Sequence, residues 1–400
     1  MLLKEIRVLD FSQYLAGPTV TRLMAEMGAE IFKVERAKSG DPSRLLPAIK
    51  NRRSGYFVQQ NLGKKSICLD FSKKESHEII LKLVERVDVV VENFGPGVME
   101  KRGWGYEELI KINPKLVMAS ISAFGKNNIF SHKTGFDWIA QAFSGVMEMT
   151  GPENGTPHPV GLGIADVSAG VHAFAAIGYS LFYRERTGKP QNCDISMIDC
   201  LFHANELNLQ VPQILGDKFA PFRMGAHHKL LCPCGVFQAP DGFITILCTQ
   251  GQWGYLCEAM SMPELEKDKS FKSPEDRVKN QESLIAIIEK WMVSVGSNDE
   301  ILLKLERSRV PCAPVLNPID AINHPYFRDR GVIREINDKI LGSLSLPGFP
   351  LRFSGQKDYK IAAAPFLGQH NKFILQNLIG FSDKKIQTLL DNQVIFSDDL

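Results

Sequence analysis

The chain has 400 residues and a formal net charge of +2, with 44% hydrophobic and 23% charged residues. This length exceeds what one hydrophobic core usually organises, so we expect two structural units. The near-neutral charge excludes a global attraction to nucleic acid or acidic membranes, so any anion-binding site must be local.

The first half of the chain alternates apolar strands with helices. Strands are predicted at 6–11, 29–35, 65–71, 87–93, 115–125 and 192–197. Helices are predicted after Gly17-Pro18, from Ser72 and around 105–111. Alternation of this kind predicts a parallel sheet with helices on both faces.

The character of the chain changes towards its second half. A long helix of small and apolar residues follows Asp166 and is predicted to be buried on all sides. Two strands around a Pro-Asp-Gly turn then indicate a hairpin, amphipathic helices fill 274–307, and a loop-rich stretch at 342–353 precedes two closing helices. We predict a large α/β domain over 1–221, a small domain over 222–325 and a returning segment over 326–400.

Several common cofactors are disfavoured. The turn after the first strand, SQYLAGPT, has one glycine followed by proline, whereas dinucleotide binding needs G-x-G-x-x-G. Nicotinamide binding is therefore not predicted, and the sequence has no Walker G-x-x-x-x-G-K-[ST] motif for ATP. Cys232-Pro233-Cys234 with His227 and His228 lacks zinc-ligand spacing, so a structural turn is favoured over a metal site.

The location is predicted to be cytoplasmic, without a membrane partner. The eight cysteines are scattered in apolar surroundings, as in reduced proteins. No apolar run is expected to approach the roughly 20 residues of a spanning helix. The first residues already have the pattern of a strand, so no signal peptide is expected.

Basic residues recur where the first strands end. They are Lys33, Arg36, Arg52, Arg53, Lys64 and Lys65. Ligands bind at the carboxyl ends of parallel strands, so a ligand with several phosphates would suit these positions. A solvated charged surface explains the same run, and the sequence alone leaves both interpretations open.

Asp166 lies in the glycine-rich segment GLGIADVSAG, directly before the long helix. Aspartate is a favoured N-cap residue, and the helix dipole would keep its carboxylate ionised. An ionised carboxylate can also act as a nucleophile, and flanking glycines would let an oxyanion reach backbone N–H groups. The two roles are compatible, and composition does not choose between them.

Several segments, taken together, resemble the class III CoA-transferases, a family that includes formyl-CoA:oxalate and carnitine CoA-transferases. The matching segments are VLDFSQYLAGP, GAEIFKVER, KKSICLDF, VENFGPGVMEKRG, GFDWIAQAFSG, RTGKPQNCDISMID, VPCAPVLNPIDAINHPYF and PFLGQH. The α-methylacyl-CoA racemases share this fold. The resemblance implies a Rossmann-like parallel-sheet large domain, a smaller α+β domain and an interlocked, ring-like homodimer.

The resemblance also implies the chemistry and its residues. Asp166 would be the nucleophile that passes through an aspartyl anhydride and an aspartyl-CoA thioester, with Asp137 orienting its loop. The substrates would be an acyl-CoA and a free carboxylic acid. Coenzyme A would contact Tyr14, Leu15, Arg36, Leu69, Asn93 and Arg102. Lys65 is a further phosphate candidate.

Two other functions remain open. A racemase needs an acid/base pair, and one member is a histidine in a G-H-D stretch. Here the stretch is GFD, so Phe136 stands in that place, and His132 lies four residues earlier. A non-catalytic CoA-binding protein is the third hypothesis, which the retained Asp166 disfavours.

Overall fold

The computed structural model describes residues 1–216, 223–355 and 361–398. The chain divides into two compact units. The first unit comprises Met1–Val146, Pro159–Leu207 and Tyr326–Leu400, and the second comprises Met147–His158 and Asn208–Pro325. The small domain was predicted from residue 222, whereas the described residues 147–158 and 208–216 also belong to the second unit.

The strands in chain order are β1 (Arg7–Asp10), β2 (Glu30–Arg36), β3 (Ile49–Lys50), β4 (Arg53–Ser54), β5 (Lys64–Leu69), β6 (Val89–Glu92), β7 (Val117–Ser122), β8 (Asn192–Ser196), β9 (Cys234–Ala239), β10 (Gly242–Leu247), β11 (Cys312–Pro314), β12 (Ile333–Asp338) and β13 (Gly342–Pro347). The helices are α1 (Ala16–Glu26), α2 (Gly55–Gln60), α3 (Lys74–Val84), α4 (Val98–Lys101), α5 (Tyr106–Ile112), α6 (Asp137–Phe143), α7 (Val146–Met149), α8 (Ile164–Thr187), α9 (Met197–His203), α10 (Leu207–Leu215), α11 (Trp253–Ala259), α12 (Pro274–Lys279), α13 (Gln281–Val295), α14 (Asn298–Arg307), α15 (Pro318–Asn323), α16 (Pro325–Asp329), α17 (Asn371–Asn377) and α18 (Asp383–Asp391).

The first unit is built on a six-stranded sheet in the order β5-β2-β1-β6-β7-β8. All neighbouring strands are parallel. The Val-Val-Val-Glu sequence of β6 is buried at all four positions, as expected for a strand covered on both faces. The predicted α/β fold with a parallel sheet is confirmed. The direction of winding reverses between β1 and β6, which is where ligands bind in doubly wound sheets.

Helices α1 and α8 approach each other closely on one face of the sheet. A Cβ atom at Gly170 of α8 would lie 2.7 Å from the carbonyl oxygen of Ala16 in α1. Glycine at this position therefore permits the contact between the two helices. The contact places the beginning of α8, with Asp166, beside the turn that enters α1.

The prediction that α8 is buried on all sides is wrong for this chain. Ala165, Ala169 and Ala173 are fully buried, whereas Tyr179 and Phe182 on the outer side are 77% and 58% exposed. The four-residue spacing of these alanines places them on one face of the helix, and that face packs against the core. The helix is also long and apolar enough, by length and composition, to cross a membrane, contrary to expectation, although core helices of soluble proteins pass the same test.

Three of the basic residues predicted at the strand ends are buried in ion pairs. Lys33 pairs with Asp41 at 2.9 Å, Lys64 with Asp10 at 3.1 Å and Arg53 with Asp338 at 2.8 Å. These cations are structural and are not available to a phosphate. Arg36 and Arg52 are exposed, so their positions remain open to an anionic ligand.

The second unit contains an antiparallel sheet in the order β11-β10-β9. Strands β9 and β10 form the predicted hairpin around the Pro-Asp-Gly turn. The helices α11–α14 pack on this sheet through a core that includes Trp253, Leu284 and Met292. In the first unit, residues 342–347 form a strand paired with β12, where a loop was predicted. Serine alternates with leucine there, a two-residue period typical of strands.

Candidate active site

A cavity of about 390 Å³ lies where β1, β6 and β7 end at the carboxyl edge of the sheet. Tyr14 follows β1, Asn93 follows β6, and Phe136 precedes α6; all three line the cavity together with Asp166. The cavity therefore occupies the point at which the sheet reverses its winding, as expected for a ligand site in this kind of sheet.

The loop after β1 is held by buried polar groups. The Asn93 amide donates to the Gln13 carbonyl at 2.8 Å and accepts from the Gln13 N–H at 2.7 Å. The Lys33 ammonium donates to the Ser12 carbonyl at 2.7 Å, and Asp41 accepts from the Tyr14 N–H at 3.2 Å. The buried Lys33–Asp41 pair thus fixes Tyr14, whose φ of +62° is unusual for a tyrosine.

Asp166 is the third residue of α8, which begins at Ile164 after Gly163. The prediction that Asp166 is the N-cap is therefore wrong. The capping carboxylate belongs to Asp137, whose Oδ1 accepts from the N–H groups of Ala165 at 2.7 Å and Asp166 at 3.2 Å. Since Asp137 occupies these two N–H groups, they are not open to an oxyanion.

Gln141, which was not predicted as a site residue, is fully buried beneath this turn. Its Nε2 donates to Asp137 Oδ2 at 2.6 Å and to the Leu162 carbonyl at 3.3 Å. Its Oε1 accepts from the Val160 N–H at 2.8 Å. Asp137 and Gln141 are four residues apart, a spacing that places them on one helix face and that could have indicated the pair.

The electrostatics of the cavity differ from expectation. Burial raises the pKa of Asp166 to about 7, and the nearby negative charge of Asp137 adds to the shift. The carboxylate is therefore not permanently ionised, because loss of hydration outweighs the attraction of the helix terminus.

Tyr56 is a second titratable group that was not predicted as a site residue. Burial raises the pKa of Tyr56 to about 12, with contributions from the charges of Asp166, Asp41 and Asp137. Its phenol therefore lies near these carboxylates and stays protonated at neutral pH. Tyr56 is not part of an obvious motif, so only the folded chain brings it to the site.

The six residues predicted to contact coenzyme A have different positions. Tyr14 and Asn93 line the cavity with Asp166. Leu15 packs against the turn before α8, since a Cβ at Gly163 would lie 2.5 Å from its Cδ2. Leu69 is the last residue of β5, and its side chain is fully buried in the core, so only its backbone could contact a ligand there.

The residues predicted to contact phosphate lie at two opposite edges of the sheet. Arg36 is exposed at the carboxyl end of β2. The Arg102 guanidinium lies over the rings of Phe71 and Trp104, at 5.2 and 5.5 Å from their centroids. Phe71 follows β5, so Arg102 is at the same sheet edge. Lys65 is the second residue of β5 and pairs with Glu30 at 2.6 Å at the opposite edge of the sheet, so it does not join them.

The residues that a racemase or a metal site would need are not gathered at the cavity. Phe136 is 68% exposed and meets the Tyr14 ring edge-on, with centroids 6.0 Å apart. His132 is exposed and is not among the described residues that line the cavity. Within the described ranges, no three His, Cys, Asp or Glu side chains are grouped to hold a metal ion.

Comparison with known proteins identifies the family of this chain. The model of a family described as CoA-transferase family III matches residues 3–371. Succinyl-CoA:mesaconate CoA-transferase of Haloarcula hispanica is 37% identical over 96% of this chain and 99% of its own length. Succinyl-CoA:glutarate CoA-transferase of Mus musculus is 33% identical over 98% of this chain and 90% of its own length.

A solved structure shows the same relationship. The crystal structure of a CAIB/BAIF family protein from Brucella suis superposes with a TM-score of 0.82 at 32% identity. The match covers 94% of this chain and 99% of that one. With a family model that spans most of the sequence and relatives above 30% identity along nearly all of it, the chain belongs to CoA-transferase family III.

Proposed function

We propose that this enzyme moves CoA from an acyl-CoA to a free carboxylic acid, with Asp166 as the covalent nucleophile. The observation that carries the proposal is the position of the Asp166 carboxylate in a cavity at the reversal point of the sheet. Asp137 and Gln141 fix the turn that carries it through hydrogen bonds of 2.6 to 3.3 Å. A fixed nucleophile lowers the entropic cost of attack.

In the proposed reaction, an Asp166 oxygen attacks the donor thioester carbon and expels the CoA thiolate, which leaves a mixed anhydride. The thiolate attacks the Asp166 carbonyl carbon and releases the donor acid, which takes one Asp166 oxygen with it. The acceptor carboxylate attacks the resulting aspartyl-CoA thioester. The returning thiolate then attacks the acceptor carbonyl, and Asp166 is regenerated with one acceptor oxygen. Four nucleophilic substitutions, each with a good leaving group, thus replace one difficult exchange.

Coenzyme A is proposed to extend along the carboxyl edge of the sheet. The exposed guanidinium of Arg36 and that of Arg102 would meet its phosphates, since guanidinium groups bind phosphate well. Tyr14, Leu15 and Asn93 would guide pantetheine towards Asp166. The two relatives above are named for succinyl-CoA as donor and for mesaconate or glutarate as acceptor. These names support short dicarboxylic acids as first candidates.

An exchange assay tests this function against its alternatives. Succinyl-CoA or acetyl-CoA is incubated with pooled carboxylic acids, and new acyl-CoA masses are read directly. Transfer to a free acid supports the proposal. Deuterium uptake at the α-carbon without an acceptor would instead indicate a racemase. Binding of CoA without exchange would indicate a non-catalytic protein.

The rate should depend on the ionisation of Asp166. Only the carboxylate attacks, and its pKa is raised to about 7, so kcat/KM should rise with pH below 7 and level off above it. Asp137→Asn removes the negative charge that adds to the shift, so its midpoint should lie at lower pH. Initial rates from pH 5 to 9 measure both profiles. A wild-type profile flat across this range would contradict the assignment.

We also propose that the exposed face of α8 is covered by a second copy of the chain. Phe182 and Tyr179 line an apolar cavity of about 410 Å³, together with Met24 of α1 and Met27, which follows α1. Tyr179→Glu should convert a dimer to a monomer in light scattering, because the buried charge would be unpaired. Tyr255→Glu, at an exposed tyrosine of the second unit, is the control. A monomeric wild type would contradict the proposal.

A further inference from the structure

The cavity beside Asp166 contains one basic side chain among its described lining residues. That residue is Lys133, in the segment between β7 and α6. The other charged residue of the described lining is Asp166 itself. A ligand that brings negative charge into this cavity thus meets one carboxylate and one ammonium group.

An aromatic platform holds Lys133. The Lys133 Nζ lies 3.9 Å from the centroid of the Phe130 ring, and the backbone N–H of Lys133 donates to the Phe130 carbonyl at 2.8 Å. Phe130 packs edge-on against Phe124 and Phe143, with centroids 5.9 and 5.6 Å away. The Phe130 ring, held in place by these two neighbours, therefore supports the ammonium group on one side. A ring face is a weak hydrogen-bond acceptor, so the N–H donors of the ammonium group stay available to a ligand.

The ammonium group has no carboxylate partner within 4.0 Å in the described parts of the chain. Lys126, seven residues earlier, differs in this respect because it pairs with Glu100 at 3.3 Å. A cation–π contact is weaker than a charge-assisted hydrogen bond, so Lys133 keeps donors for an anionic ligand.

We propose that Lys133 binds the distal carboxylate of a dicarboxylic acyl group and so selects dicarboxylic over monocarboxylic acids. This inference rests on the proposed function. One carboxylate of the acid must react at Asp166, and a second negative charge in the same cavity would be repelled unless a cation meets it. Lys133 is the lining residue that supplies this cation, and a monocarboxylic acid has no group for it.

The test compares acceptors in pairs of equal chain length, such as glutarate with pentanoate, over three to six carbons, with acetyl-CoA as donor because its acyl group has no distal carboxylate. Lys133→Met should lower kcat/KM for dicarboxylic acids about 10- to 100-fold, mainly through KM, and leave monocarboxylic acids unchanged. Lys133→Arg should restore most of the preference. Lys126→Met, at the paired lysine, should leave the ratio between the two classes unchanged.

The outcomes separate the inference from the function beneath it. If both classes fall equally in Lys133→Met, or if the wild type prefers no dicarboxylic acid in the series, the inference is wrong while exchange still stands. If the wild type transfers CoA to no acid, the proposed function itself is wrong. Circular dichroism of each variant shows whether a loss comes from misfolding.

Discussion

Replacing Asp166 by asparagine is expected to reduce CoA exchange by at least about 10⁴-fold, because no other group can form the covalent intermediates. Asparagine keeps the shape of the side chain and its place in α8. Coenzyme A contacts proposed at Arg36 and Arg102 are untouched, so the Kd for CoA should change little. Exchange rates and calorimetric titration with CoA measure the two effects separately.

The unfolding temperature of Asp166→Asn shows whether this variant is folded. The pKa of Asp166 is raised in the folded protein, so its ionised form destabilises the fold as pH rises through 7. Asp166→Asn should therefore unfold at an equal or higher temperature than the wild type at pH 8. Asp166→Ala excludes recovery by deamidation. Turnover near the wild-type rate in the alanine variant would rule out the nucleophile.

Asp137→Ala is expected to lower kcat about 100-fold while the Kd for CoA changes little, since a small misplacement of a reacting group costs this much. The substitution leaves the N–H groups of Ala165 and Asp166 and the Gln141 amide without the acceptor they share. The turn that carries the nucleophile must then shift. Single-turnover rates at saturating acyl-CoA measure the loss.

Asp137→Asn separates position from charge. The asparagine oxygen can still accept from the two backbone N–H groups, so this variant should keep kcat within about 10-fold of the wild type at pH 8. An Asp137→Ala variant as active as the wild type would show that the cap does not position Asp166. Equal losses in both variants would indicate that the charge of Asp137, and not its hydrogen bonds, is required.

Much of the sheet was predictable because buried strands leave a direct record in the sequence. Continuous apolar runs such as that of β6 identify strands covered on both faces. The outer face of α8 was not predictable in this way. Helix α8 is apolar on all sides, and hydrophobicity does not distinguish a face that meets the core from one exposed in the single chain.

The site was less predictable than the sheet. Lys33 and Lys64 belong to a series of basic residues typical of a phosphate-binding site. In the folded chain, however, both are buried in ion pairs with aspartates. Asp166 has the sequence context of an N-cap, yet Asp137 from a distant segment provides the cap. Pairings between residues far apart in the chain decide these roles, and local patterns do not contain them.

The most direct test follows an oxygen atom. Enzyme is turned over with succinyl-CoA and glutarate labelled with ¹⁸O in both carboxylates, and the peptides that carry Asp166 and Asp137 are analysed by mass spectrometry. Covalent exchange predicts ¹⁸O in the Asp166 carboxylate, with none in Asp137. Full conversion of the acceptor to its CoA thioester with Asp166 unlabelled would contradict the account.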